Sequence, residues 1–526
     1  MDERIADAVA VLGDYTSQHV LLSASALALG IAVSLPLAVL ASRRPRLRGA
    51  VLAVASLVQT IPGLALLALF YPLLLGLSAL TTRAAGIAVP ALGFLPAMLA
   101  LTVYSMLPIL RNAVTGLDGV DPACREAADG VGMTPRQKLL RVELPLAAPV
   151  IMAGIRTAAV WTIGIATLST TVGQTSLGNF IFSGLQTENW VDVLVGCAAV
   201  VVLALTVDWA LGRIEAAAVT RRPAPFVAGI AVLALGILLA AAPALSARTR
   251  PYVIGAKSFS EQLILAELIG QRLEAAGARV AHKDALGSAI VFRALAAGDV
   301  DTYVDYTGTL WTNVLRRTDR VSREAMLTEL TATLRERYGV EVLGPLGFEN
   351  AYALAMKPDR ATALGIATVA DLAPRAPRLR LGSDTEFLRR PEWMALKEAY
   401  GLAFGEEKSF NPTFMYRALA DGSVDVISAY TSDGRIAADN LVVLADPKGA
   451  IPAYDAVLLI SPHRRDDPVL RSALAPLLGA VDVARMRQAN YMVDRAAGKV
   501  PVREAARFLA AALPPPAGPQ SAAPAP

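Results

Sequence analysis

Histidine and cysteine are scarce in this chain, at three and two residues. His19, His282 and His463 lie far apart, with no spacing that would gather ligands, so no metal centre is expected. Cys124 falls in a polar stretch and Cys197 inside an apolar run, which excludes a cysteine metal cluster and argues against a disulfide. No Gly-x4-Gly-Lys-Ser/Thr phosphate loop occurs, so this chain is not expected to hydrolyse ATP. No constellation of nucleophile, base and metal stands out, and an enzyme is the weakest reading. Charge is sparse as well: 18% of residues are charged and the formal net charge is only +4. The basic residues of the first half sit in short clusters beside apolar runs, which does not suit nucleic acid.

What is abundant is apolar sequence. Hydrophobic residues make up 54% of 526 positions, and mean hydropathy is +0.48. That is too apolar for an ordinary soluble protein and too charged for one that is membrane throughout. The apolar excess lies mostly before residue 247. Runs of spanning length fall at about 20–41, 51–75, 94–111, 149–171, 191–212 and 225–246, each near the ~20 residues that a helix needs to cross a bilayer. The stretch 76–93 is ambiguous and could hold an interfacial or re-entrant piece. Arg43, Arg44, Arg46 and Arg48 follow the first run, Arg125, Arg136, Lys138 and Arg141 lie in 112–148, and Arg213, Arg221 and Arg222 precede the sixth. With six crossings these three loops share one side, the cytoplasmic one by the positive-inside bias, and everything after 247 is outside.

The loop 112–148 carries Glu126-Ala127-Ala128, then Gly132, then Val142-Glu143-Leu144-Pro145. This resembles the EAA loop of bacterial ABC-importer permeases, with Val142 where Ile is usual. The resemblance implies an all-α transmembrane bundle of the type I importer kind over residues 1–220. It also implies a cytoplasmic helix at Glu126, Ala127, Ala128, Gly132, Leu144 and Pro145 that docks on a separate ATPase subunit, where ATP and Mg bind. Residues 221–250 form the sixth span and a tether. Arg221-Arg222, the apolar run and Ala241-Ala242-Pro243-Ala244-Leu245-Ser246-Ala247 also read as a signal peptide with a small-residue cleavage site. The length of the run favours a permanent anchor.

From Tyr252 the pattern changes to short apolar strands alternating with helical stretches, as in α/β lobes with largely parallel sheets. The Pro/Ala-rich tail 513–526 reads as disordered. Several phrases carry a second resemblance: Gly255-Ala256-Lys257-Ser258-Phe259-Ser260-Glu261-Gln262, Asp305-Tyr306-Thr307-Gly308-Thr309, Tyr352-Ala353-Leu354-Ala355, Glu386-Phe387 with Arg389-Arg390, and Val424-Asp425-Val426-Ile427 running to Asp433-Gly434-Arg435. They are similar to the solute-binding proteins of the glycine betaine/carnitine/choline (osmoprotectant) family, and the fused arrangement also resembles ergothioneine uptake hybrids. The resemblance implies a type II periplasmic-binding-protein-like fold over 251–512. Lobe one covers about 252–355 and 456–510, lobe two about 356–455, and the ligand cleft lies between them.

A trimethylammonium group has no N–H to donate, so acceptors cannot select it. Aromatic faces hold it instead, at about 0.5–2 kcal/mol per ring. Tyr15, Tyr71 and Tyr104 leave ten of the thirteen tyrosines in the second half. Motif by motif, the resemblance nominates Tyr306, Tyr352, Tyr430 and Tyr454 as the cage, with Tyr303 and Tyr416 expected to pack. Lys257, Thr309 and Arg390 stand where carboxylate donors are implied, and the fork of an arginine suits that task. Where the family often continues Asp-Gly after this arginine, the chain reads Pro391-Glu392-Trp393, which reshapes the rim and brings Trp393 into question as a ligand neighbour.

The sequence therefore reads as the permease and binding subunit of an ATP-driven importer for a betaine such as glycine betaine, proline betaine or carnitine. Ergothioneine meets the same demands, whereas choline would leave Lys257 and Arg390 without an anion. Partners implied are an ATPase subunit, a second copy of this chain, membrane lipid and the small solute, with no nucleic acid and no cofactor on this chain. The place is a bacterial inner membrane, with the binding domain on the periplasmic side. A membrane-anchored betaine sensor is the rival from another class, against which the EAA loop argues.

Overall fold

The computed structural model describes residues 3–86, 89–187, 189–220, 222–246, 250–317, 319, 321–410, 412–495 and 498–514. The chain divides into two units, one of Met1–Phe182 with Val191–Arg248 and one of Ser183–Trp190 with Thr249–Pro526. Most of the proline-rich tail, from residue 515, lies outside the described residues, as does part of the small-residue run after the sixth span. Leu513 and Pro514, assigned to that tail, are held by the second unit instead. Leu513 is buried in the second unit's core, and Arg272 donates to the Pro514 carbonyl at 3.0 Å.

The first unit is helical. Its elements are α1 (Glu3–Arg43), α2 (Pro45–Thr60), α3 (Gly63–Ala85), α4 (Phe94–Asp118), α5 (Pro122–Gly130), α6 (Pro135–Lys138), α7 (Leu144–Ala166), α8 (Gly178–Gln186), α9 (Trp190–Thr220) and α10 (Pro223–Ser246). Among the described residues, six stretches are long and apolar enough to cross a membrane: Val11–Arg43, Gly63–Ala85, Phe94–Asp118, Pro135–Val172, Trp190–Ala217 and Pro223–Pro243. Their number agrees with the sequence reading, but the second differs. Pro62 has no N–H to donate and bars helical geometry at Ile61, which is extended (φ −75°, ψ 125°). Residues 51–60 therefore belong to the separate α2, and 76–85 continue the span instead of forming an interfacial piece.

The bundle core is built where α4 meets α7. A Cβ at Gly154 would come within 2.6 Å of the Asn112 side chain and 2.8 Å of the Pro108 carbonyl, so only glycine permits this approach. α9 has little apolar burial within the chain and is held by charge. Arg156 on α7 grips Asp208 with two bonds of 3.0 and 2.9 Å and Glu215 with one of 2.7 Å. Ionisable side chains in spanning helices are costly unless paired in this way. His19 is structural too: its Nδ1 accepts from the Leu177 amide at 3.3 Å, which leaves Nε2 to donate to the Ile163 carbonyl at 3.0 Å.

The second unit holds two five-stranded sheets. Its strands are β1 (Tyr252–Lys257), β2 (Val280–Leu286), β3 (Thr302–Tyr306), β4 (Glu341–Glu349), β5 (Tyr352–Met356), β6 (Arg380–Asp384), β7 (Glu406–Phe410), β8 (Val426–Tyr430), β9 (Val442–Val443) and β10 (Asp455–Ile460). Sheet one runs β2-β1-β3-β10-β4 and sheet two β7-β6-β8-β5-β9. The sheets are mixed, contrary to the expectation of largely parallel ones. β10 is antiparallel to β3 and β4, and β5 is antiparallel to β8 and β9. The reason is connectivity: the chain passes from β4 to β5 through Asn350 and Ala351 and returns through residues 444–454 to β10, so β5 and β10 each enter their sheet from the other one and run against both neighbours. The two crossings touch, the Asn350 amide donating to the Tyr454 carbonyl at 2.9 Å. Sheet two accordingly begins at Tyr352. Helices α11 (Ser260–Ala275) and α12 (Ser288–Ala297) flank sheet one.

Candidate functional site

Four strand ends meet where the chain crosses between the sheets; three carry a tyrosine and a fourth tyrosine immediately precedes the last strand. Tyr306 closes β3, and its register partner Ala456 follows Tyr454 by two residues at the start of β10. Tyr352 opens β5 and pairs in register with Tyr430, the last residue of β8. Side chains directly opposite on paired strands come close by necessity, and the rings of Tyr352 and Tyr430 lie 5.1 Å apart. Tyr352 also meets Tyr454 edge-on at 5.7 Å. All four line one cavity of about 70 Å³ together with Lys257, Thr309 and Arg390. The seven residues nominated from sequence thus stand around one space.

The tyrosine hydroxyls are tied down around that space. Tyr306 donates to Glu261 at 2.6 Å and accepts from Gln262 at 2.9 Å. Tyr454 donates to Glu392 and accepts from Arg390 at 3.1 Å, and Tyr430 donates to Asp384 at 3.5 Å. Burial above all pushes the phenols of Tyr306, Tyr352, Tyr430 and Tyr454 above their ordinary value, so they remain neutral. What the cavity receives is neutral aromatic surface, held in fixed orientation.

The two cations differ from expectation in one respect: each already has a carboxylate. Lys257 pairs with Asp305 at 2.5 Å, both side chains buried, and its ammonium lies 5.1 Å from the Tyr306 ring centroid. Arg390 presents Nε and Nη2 to the Glu392 carboxylate, each at 3.0 Å, and Nη1 to Glu386 at 2.8 Å. Burial disfavours the Arg390 charge, but the Glu392 carboxylate outweighs it and raises its pKa above the ordinary value. Glu392 is likewise buried, and its bonds to Arg390 hold it below the usual range. Choline would therefore not leave these cations without an anion, and that argument against it falls.

Trp393 does not line the cavity. It is fully buried against Phe387 and Phe404, with ring centroids 5.5 and 6.1 Å away, because its position in the helix Pro391–Tyr400 faces the core of lobe two. Tyr303 is also fully buried, donating to Asp305 at 2.5 Å, and Tyr416 packs beneath the Arg435 guanidinium. Sequence reasoning missed Phe259, Ser288 and Glu386 as lining residues. Phe259 stacks on Tyr430 with centroids 5.8 Å apart and on Tyr306 at 6.3 Å, completing the aromatic wall. Its place two residues after Lys257, in the motif Gly255–Gln262, was the available signal.

In the first unit the EAA segment forms a helical hairpin. Asp121 caps α5, accepting from the Ala123 amide at 2.8 Å, and Thr134 and Gln137 form a capping box on α6. Gly132 makes the turn between them with φ +75°, a conformation that other residues rarely adopt. Glu126, Ala127, Gly132 and Pro145 are exposed, Leu144 is half-buried and Ala128 is buried. Val131 and Leu140 add apolar surface, 72% and 56% exposed. Glu143 anchors the hairpin: buried, it binds Arg43 at the end of α1 and Arg125 on α5, the latter at 3.3 Å.

An apolar bundle with a projecting helical hairpin, carried on one chain with a two-sheet domain around an aromatic cavity, defines a membrane permease with its own capture domain. Residues 30–242 match the inner membrane component of binding-protein-dependent transport systems, and residues 250–511 match the substrate-binding domain of ABC-type glycine betaine transport systems. The chain is 29% identical over 470 residues to the ergothioneine transport permease/ergothioneine binding protein EgtU of Helicobacter pylori (strain G27), covering 85% of this chain and 81% of that one. It is 40% identical over 200 residues to the choline transport system permease protein OpuBB of Bacillus subtilis (strain 168), covering 38% of this chain and 85% of the relative. A crystal structure of a glycine betaine/carnitine/choline ABC transporter component aligns at 29% identity over 49% of this chain and 98% of that one, with a TM-score of 0.43. The chain belongs to the osmoprotectant family of ABC importers, as a permease and a glycine betaine-type substrate-binding domain fused in one polypeptide. It is a multi-pass, non-catalytic transporter subunit, and ATP use in this family falls to a partner ATPase.

Proposed function

We propose that the chain captures a small quaternary-ammonium betaine of the glycine betaine, proline betaine or carnitine type and passes it through its own helices. Tyr306, Tyr352, Tyr430 and Tyr454 embrace the trimethylammonium group, while Thr309, Lys257 and Arg390 face its polar end. The observation that carries this reading is the convergence of those four tyrosines on one cavity between the two sheets. Neutral rings suit a cation that cannot donate hydrogen bonds, since each face contributes about 0.5–2 kcal/mol. Closure of the two lobes about their crossings would complete the enclosure.

Transport then rests on the hairpin. Glu126, Ala127, Ala128, Gly132, Leu144 and Pro145 present the surface that an ATPase subunit, loaded with ATP and Mg, grips from the cytoplasm. Two copies of this chain form the pathway, which agrees with the exposed apolar residues of α9 and α10, among them Leu194, Leu205 and Leu238. Residues 1–220 are the permease, 221–250 the sixth span and tether, and 251–512 the capture domain, on the periplasmic side of an inner membrane. Ergothioneine is a second cargo to test, supported by the similarity across both halves to an ergothioneine transport permease/ergothioneine binding protein. Calorimetry on the purified full chain with glycine betaine, proline betaine, carnitine, choline and ergothioneine tests the reading. Micromolar or tighter binding of at least one is expected, and binding of none overturns it.

A further inference from the structure

Three carboxylates face the cations of the cavity, and they are not equivalent. Asp305 and Glu392 have side chains only 1% exposed, whereas Glu386 is 48% exposed. Glu386 belongs to the segment after β6 in sheet two, yet its carboxylate also accepts from the Ser288 hydroxyl at 2.9 Å, on the first turn of α12 beside sheet one. One carboxylate thus bridges the mouth of the cleft, from Ser288 on one lobe to Arg390 Nη1 on the other, and lines the cavity. Asp305 and Glu392 stand behind the lining and formally neutralise Lys257 and Arg390, so among these five groups Glu386 carries the charge that is left over.

Resting on the betaine reading above, we infer that Glu386 is a built-in competitor for the anionic end of the solute and so sets the preference between zwitterions and simple cations. A ligand carboxylate needs a donor on the far side of the aromatic wall. Taking Asp305 from Lys257, or Glu392 from Arg390, would strand a buried charge. Glu386 alone can be displaced into water, which frees Arg390 Nη1 and Ser288 Oγ together. A betaine therefore binds by exchanging its carboxylate for that of Glu386. A solute with an ammonium and no carboxylate leaves Glu386 in place and is attracted by its charge. The same residue works against one class and for the other.

The test is the ratio of choline to glycine betaine affinity, measured by calorimetry on the full chain in detergent, for the wild type, Glu386→Gln and Ser288→Ala. Glu386→Gln is expected to tighten glycine betaine and weaken choline, moving the ratio by about tenfold, the scale of one charged hydrogen bond. Ser288→Ala, which removes only the anchor on lobe one, is expected to tighten glycine betaine by a smaller factor and serves if the first variant is unstable. A ratio that stays fixed, or moves the other way, in a folded variant overturns the inference while the betaine reading stands. A wild-type chain that binds neither solute overturns this inference, and the betaine reading falls with it only when proline betaine, carnitine and ergothioneine also fail to bind.

Discussion

Phe259 and Tyr430 lie face to face across the two lobes, their rings 4° from parallel and 5.8 Å apart. Phe259 precedes α11 on the side of sheet one, and Tyr430 ends β8 in sheet two. The stack is both a wall of the cavity and a tie between its halves. Phe259→Ala is therefore expected to weaken solute binding about tenfold, the worth of one lost ring and its stack. Phe259→Tyr is expected to retain most of the affinity, and titration calorimetry on both variants checks the pair.

Glu143 ties Arg125 of the hairpin's α5 to Arg43 at the end of α1. Glu143→Ala removes the carboxylate that holds those arginines together, so the hairpin loses its fixed seat. Solute binding is expected to be unchanged while solute-stimulated ATPase activity of the reconstituted complex falls about tenfold or more, because a misplaced coupling element costs rate steeply. An unaltered ATPase response would remove Glu143 from the coupling path.

The clamp of Arg156 on Asp208 and Glu215 predicts a strong and reversible stability effect. Arg156→Met leaves Asp208 and Glu215 without their cation; an unpaired acid at the centre of a span costs roughly 2.5–3.5 kcal/mol, and Glu215, two residues from the end of its span, contributes less. The triple variant with Asp208→Asn and Glu215→Gln is expected to recover most of that loss. Thermal unfolding in detergent reads both steps.

Asp494 supplies a pH dependence. Burial pushes its carboxyl up from 3.8 to about 6; Arg435 opposes the rise and Asp433 adds to it. The folded protein then holds this proton over a range in which the unfolded chain has lost it, so stability falls as pH rises from about 4 to about 6 and is level above that. Asp494→Asn is expected to flatten this slope and to raise stability at pH 7, as followed by unfolding at a series of pH values. Ser260 donates to Asp494 at 2.5 Å, and an asparagine oxygen retains that bond.

Much of this architecture was legible because membrane spans and binding motifs leave strong local signals. Six apolar runs gave the number of crossings, but Pro62 had to be read as a break to place the second. Tyr352 and Tyr430 stood out in their motifs, yet only strand register brings residues so distant in sequence face to face. The carboxylates were the part that stayed hidden. Asp305 and Glu392 sit beside nominated residues in the sequence, but which cation each neutralises depends on side-chain packing that no spacing reveals. Trp393 misled for the opposite reason: a large aromatic near the cleft in sequence was turned into the core by the helix that carries it.

The central claim, that this importer subunit recognises its cargo through a tyrosine cage for a methylated ammonium, meets its most direct test in one titration. Glycine betaine and glycine, which differ only in the three methyl groups, are titrated calorimetrically into the full chain and into its Tyr352→Ala variant. Saturable binding of glycine betaine is predicted, with none of glycine and a loss of about tenfold or more in the variant, the scale of one ring in a desolvated cage. Equal binding of the two solutes, or an affinity for glycine betaine indifferent to Tyr352, would contradict that claim.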